Sequence, residues 1–151
     1  MSFEVKRILV PVDFSDSASA AIDHALGIAK VFGATIELLH CYPATLGTLS
    51  PYGPVLPDNT HQALRESAQS RIGADRDRVH EAGVKVNAHL SVDVPSHAIV
   101  EAAKELDADL IVMGTRGLTG LRHVLLGSVA ERTVRAVSCP VITVPARNAD
   151  G

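Results

Sequence analysis

ADLIVMGTRGLTGLRHVLLGSVAER, residues 108–132, contains the transition that sets the fold class. ADLIVM (108–113) is apolar almost throughout and of strand length. Such a run suits a parallel strand covered on both faces. Glycines at 114, 117, 120 and 127 then interrupt the pattern, and Ser128 follows the last of them. Beyond it, Ala130, Val134 and Val137 recur at helical spacing and stop before Pro140. Strand, glycine-rich turn and helix follow one another within a single short stretch.

The same alternation extends in both directions. RILVPV (7–12), TIELLH (35–40), VKVNAHL (84–90) and VITV (141–144) are the other strand candidates. Thr143 lightens one face of VITV, which suits a sheet edge. Pro11 donates no ladder bond, so it marks a strand end or a bulge. Between these runs, Ala18, Ile22, Ala25, Ala29 and Phe32 mark one helix, stopped by Gly33. Leu64, Ala68, Ile72, Val79 and Ala82 mark a second, closed by Gly83. Ile99, Ala102, Ala103 and Leu106 mark a third, opened near Asp93 with Pro95 in its first turn. The expectation is an α/β fold, an open five-stranded parallel sheet with helices on both faces joined by right-handed crossovers.

A chain of 151 residues suits one domain, 1–151, burying roughly 70% of its unfolded surface. Residues 41–58 (CYPATLGTLSPYGPVLPD) hold four prolines and two glycines, and read as an irregular insertion. Aromatic residues are only 3% of the chain, so Val, Ile, Leu and Ala must build the core. The net charge of −3, with no basic block, argues against a nucleic-acid surface. No run is long enough for a membrane span or signal peptide, so no membrane partner is expected and the expected location is cytoplasmic. Cys41 and Cys139 stand apart from each other and from any Cys/His cluster, and the histidines share no metal-ligand spacing.

Ligands of open parallel sheets lie beyond the carboxyl ends of the strands. Two features fall there: Asp13, after the first strand, and the turn from Gly114 to Ser128. Glycines let backbone N–H groups approach an anion, and the start of the fourth helix adds unpaired amides and the Ser128 hydroxyl. Thr115 contributes a further hydroxyl. The lysine-bearing phosphate loop of common ATPases is absent, and no lysine follows Gly114. GxGxxG is also missing after the first strand, where PVDFSDSAS stands. Arg116 and Arg122 are candidate phosphate neighbours. His123 has no serine–acid partnership and His40 reads as a packed residue, so no catalytic residue is assigned.

Taken together, KRILVPVDFSDSA, ADLIVMGTRGLTGL, LLGSVAERTV and CPVITVP resemble the universal stress protein family, in its nucleotide-binding subclass, over nearly the whole chain. Gly114, Gly117, Gly127 and Ser128 fit that family's pattern of glycine, two residues, glycine, nine residues, glycine and serine or threonine. The resemblance implies sheet order 3-2-1-4-5, the Rossmann-like arrangement of adenine nucleotide alpha hydrolases. It implies Pro11 and Val12 lining a base pocket, Asp13 near ribose, and the Cys41 backbone and Met113 beside adenine. Gly114 and Gly117 would surround sugar and phosphates, with Gly127, Ser128 and Val129 on the phosphates. The implied cofactor is ATP, or ADP or AMP, with Mg²⁺ accompanying ATP. The implied assembly is a homodimer through the last strand. The expected role is an ATP-binding stress-response or signalling module with little intrinsic hydrolysis. The alternatives are an adenylate-transferring or weakly ATP-hydrolysing enzyme, and a nucleotide-independent chaperone-like or scaffold dimer.

Overall fold

The structure is a computed structural model that describes residues 2–43, 58–116 and 126–146. Strands and helices alternate along the chain: β1 (Arg7–Pro11), α1 (Asp16–Phe32), β2 (Thr35–Cys41), α2 (Asp58–Glu81), β3 (Val86–Ser91), α3 (Pro95–Glu105), β4 (Leu110–Gly114), α4 (Ser128–Ala136) and β5 (Val141–Val144). All neighbouring strands are parallel, in the order β3-β2-β1-β4-β5. The expected insertion is narrower than 41–58, because Cys41 completes the ladder with β3 and Asp58 already begins α2.

Strand alternation divides the core in two. Ile8, Val10, Ile36, Leu38 and Val112 face α1 and α2, meeting Ala21, Ile22, Ala25, Ile72 and Val79. Leu9, Leu39, Ile111 and Met113 face the other way, toward Ala98 and Ile99 of α3 and Ala130 of α4. The helix ends follow local chemistry. Ser15 Oγ accepts from the Ala18 amide and opens α1, and Gly33 closes it in the left-handed conformation (φ +70°). Pro95 stands in the first turn of α3.

Two helical stripes differ from expectation. Phe32 is 46% exposed and meets Phe3 edge to face, so the buried face of α1 ends at Ala29. In α4, Thr133 is fully buried beside Ala130, while Val134 is 47% exposed. Thr133 can replace an apolar side chain there because its hydroxyl donates to the Val129 carbonyl (2.8 Å). VITV does lie at the edge, but its exposed residue is Ile142 rather than Thr143.

Pro11 shapes the crevice between β1 and β4. The Val12 amide donates to the Leu39 carbonyl of β2 (2.8 Å). Alternation therefore turns the Pro11 nitrogen toward β4, where it has no hydrogen to give. Pairing of β1 with β2 runs to Pro11↔Leu39, but pairing with β4 stops at Leu9↔Ile111. The two central strands separate where the proline removes the next bond.

Candidate functional site

A cavity of about 530 Å³ lies at this separation. Pro11, Val12 and Asp13 form one wall, and Leu39, His40 and Cys41 continue it along the end of β2. Met113, Gly114, Thr115 and Arg116 line it from β4 and the turn that follows. Gly127, Ser128, Val129 and Glu131 close it from the start of α4, with Pro95 and Ile99 of α3 below. Every expected site residue within the described segments therefore lines one cavity. Gly117, and with it Arg122 and His123, lies outside the described residues.

The start of α4 is built to meet an anion. Gly127 is the N-cap and has no side chain to cap with, and Ser128 is the first helical residue rather than the cap. The first intrahelical bond is from the Glu131 amide to the Gly127 carbonyl (2.9 Å). Amides of the first turn have no intrahelical acceptor, and a helix presents roughly half a positive charge at this end. The Gly127 amide itself is already committed, donating to the Thr115 carbonyl (2.5 Å). A Cβ on Gly127 would lie 2.9 Å from that same carbonyl oxygen, so the turn itself requires glycine. Gly114 is likewise required by packing, against Ser17 of α1. Gly114 and Gly127 are thus required first by contacts within the chain.

Thr115 is held on both sides through its backbone. Its amide donates to the Val144 carbonyl (2.9 Å) and its carbonyl accepts from Gly127. Its hydroxyl oxygen is buried and has no hydrogen-bond partner among the described residues. A buried hydroxyl left unpaired is costly, and this one borders a cavity.

Asp13 does not cap α1; Ser15 does. Instead, Asp13 Oδ1 accepts from the Ser15 amide (3.0 Å), folding the chain tightly around Phe14. Phe14 has φ +66°, a left-handed backbone that costs a bulky residue about 1–3 kcal/mol. His40 is packed as expected: its ring lies 4.3 Å from that of Phe14, and its Nδ1 is 2.8 Å from the Val12 carbonyl. A carbonyl only accepts, so Nδ1 carries the hydrogen.

Burial pushes the Cys41 thiol up to about 11, with the Asp93 charge adding to the effect, so at neutral pH it is a neutral wall residue. Burial also raises Cys139. Sequence reasoning missed one polar cluster on the α3 side of the sheet. Glu37, only 4% exposed, accepts from His89 Nε2 (2.6 Å) and Asn87 Nδ2 (3.1 Å). The signal was present as an odd polar position, Glu37, inside the apolar run TIELLH. Among the described residues no group of three or more His, Cys, Asp or Glu could hold a metal ion. No described helix is long and apolar enough to cross a membrane.

Comparison with known proteins decides the family. The model of the universal stress protein family matches residues 4–145. The chain belongs to the universal stress protein family. The universal stress protein MJ0531 of Methanocaldococcus jannaschii is 38% identical over 143 residues, which span 92% of this chain and 81% of that one. The solved structure of MJ0577, from the same organism, superposes with a TM-score of 0.82 at 28% identity, covering 96% of this chain and 99% of that one. A universal stress protein solved in complex with cAMP has a TM-score of 0.68 at 27% identity, covering 95% and 99%. The Rossmann-like α/β fold and its 3-2-1-4-5 sheet are therefore those of solved universal stress proteins.

Proposed function

We propose that this cavity binds an adenine nucleotide, ATP, ADP or AMP, and that the chain is a stress-response or signalling module rather than an efficient enzyme. The observation that carries the reading is convergence. The uncapped first turn of α4, the unpartnered Thr115 hydroxyl and the Asp13 carboxylate all border one space. Amides and the Ser128 hydroxyl suit phosphate, with hydrogen bonds to a charged acceptor contributing about 1.5–3 kcal/mol each. The Asp13 carboxylate suits ribose hydroxyls, and the apolar Val12, Leu39 and Met113 suit a base. Gly114 and Thr115, with Gly117 beyond the described residues, would follow the sugar and phosphates. The relative solved with cAMP supports an adenosine phosphate as the ligand class.

Hydrolysis needs an oriented water and a fixed positive charge at the transferred group. Among the described residues Arg116 is the cation that lines the cavity, no lysine does, and the carboxylates of Asp13 and Glu131 oppose an uncompensated triphosphate. ATP is therefore expected to enter with Mg²⁺ and to leave unhydrolysed. In the same reading the chain acts as a homodimer joined through β5, in the cytoplasm, without nucleic-acid or membrane partners.

Calorimetric titration with adenosine, AMP and MgATP tests the binding. Ser128→Ala should weaken AMP and MgATP about tenfold, a loss of about 1.4 kcal/mol, and spare adenosine. Asp13→Ala should weaken all three. A protein that binds none of them overturns the nucleotide reading. Rapid phosphate release from ATP, lost in Ser128→Ala, overturns the absence of turnover.

A further inference from the structure

Phe14 does not line the cavity, yet its ring packs against His40, which does. The Arg71 guanidinium, on α2, lies 4.2 Å from the Phe14 ring centroid, and the His40 ring lies 4.3 Å away. His40 in turn holds the Val12 carbonyl through Nδ1 (2.8 Å), and both residues line the cavity. On either side of Phe14, the Asp13 carboxylate accepts from the Ser15 amide, and Ser15 Oγ accepts from Ala18. An aromatic residue keeps a left-handed backbone only where its surroundings over-determine it. Here the surroundings are a cation on α2, an imidazole at the end of β2 and the core against which Phe14 packs. Asp75 of α2 feels the charges of Arg78, Arg71 and His40.

We infer that Phe14 is a positioning residue: clasped by Arg71 and His40, it sets the Val12–Asp13 wall of the cavity and couples that wall to the exposed side of α2. The coupling rests on the adenine-nucleotide reading, whereas the positioning of the turn does not. A chain of contacts runs from Arg71, outside the cavity, through Phe14 and His40 to Val12. Whatever displaces Arg71 on α2 loosens the wall, and a ligand that fixes the wall favours the Arg71 contact in return.

Two measurements on Phe14→Gly, Phe14→Tyr and Arg71→Ala test this. The first is amide hydrogen exchange of Ser15 in the protein without ligand, with the β1 amides as internal control. The second is calorimetric titration with AMP. Glycine adopts φ +66° at no steric cost but has no ring to clasp. Phe14→Gly should therefore speed Ser15 exchange and weaken AMP, each about tenfold, while β1 exchange is unchanged. Phe14→Tyr, which keeps the ring, should leave both within about twofold. Arg71→Ala, although outside the cavity, should weaken AMP about two- to fivefold, as expected for loss of one exposed cation–π contact. Wild-type exchange and wild-type affinity in Phe14→Gly would overturn the inference. If the wild-type protein does not bind AMP, the nucleotide reading fails, and the exchange measurement alone decides the positioning role.

Discussion

Gly114 approaches Ser17 so closely that a β-carbon on the glycine would stand 2.9 Å from both the carbonyl carbon and the Cβ of the serine. Ser17 is buried and donates from Oγ to the Val144 carbonyl (2.9 Å), so this contact joins α1, β4 and β5. Gly114→Ala must push α1 outward, at a cost of about 1–3 kcal/mol. The thermal midpoint should fall by about 2–4 °C for each kcal/mol lost. Gly27, within α1, has nothing within 4 Å of its missing Cβ. Gly27→Ala should raise the midpoint, by about 0.4–1 kcal/mol in stability. Thermal denaturation of the two variants should move in opposite directions. Equal behaviour would mean that α1 yields freely at its N-terminus.

Glu37 and His89 give a second test. A carboxylate only 4% exposed depends on His89 and Asn87 for its hydrogen bonds. His89→Ala leaves that carboxylate half paired and should cost about 1–3 kcal/mol. Replacing both partners, as in Glu37→Leu with His89→Leu, should recover most of the loss, because no buried charge remains. Urea denaturation of the single and double variants measures the difference. A double variant less stable than His89→Ala would contradict this account.

Cys41 makes a prediction about pH. Its pKa is raised from 9.0 to about 11, first by burial and then by Asp93. The folded state therefore favours the neutral thiol. The associated stability is fully present below pH 9 and is lost as the pH rises toward 11. Alkylation follows the thiolate, partly offset by the greater nucleophilicity of a more basic sulfur. At pH 8, Cys41 should react with iodoacetamide about tenfold more slowly in the folded protein than in urea. Peptide mapping of the labelled cysteine checks this, and bound AMP should slow the reaction further. Equal rates folded and unfolded would refute the raised value.

Ile142 tests the assembly. It is 37% exposed on β5, which among the described strands pairs only with β4. A lysine there is one of the devices that keep sheet edges apart. In sedimentation experiments the wild-type protein should be a dimer and Ile142→Lys a monomer, with unchanged circular dichroism. A monomeric wild type, or a dimeric variant, would remove β5 as the joint.

The strands were legible because four of the five are short apolar runs bounded by turn residues, and parallel strands buried on both faces must read that way. The helix faces were less so. Val134 fits a helical stripe as well as Thr133 does, and spacing does not reveal that a bond to the Val129 carbonyl lets the Thr133 hydroxyl be buried instead. Most candidate site residues converge on one cavity, yet the reason for two of the glycines was not readable. Spacing alone cannot distinguish a glycine that admits a phosphate from one that admits Ser17 or the Thr115 carbonyl. Phe14 left no mark in the pattern at all, because its importance lies in a backbone angle and in contacts from α2 and β2, both distant in sequence.

Pro11 has a consequence for how such a crevice can persist. A gap between two central strands invites the ladder to zip shut, and any residue with an amide hydrogen at that place would help close it. A proline cannot, whatever its neighbours do. The mouth is kept open by a missing atom rather than by a wedge, so it stays open without a bulky side chain occupying the space a guest would need.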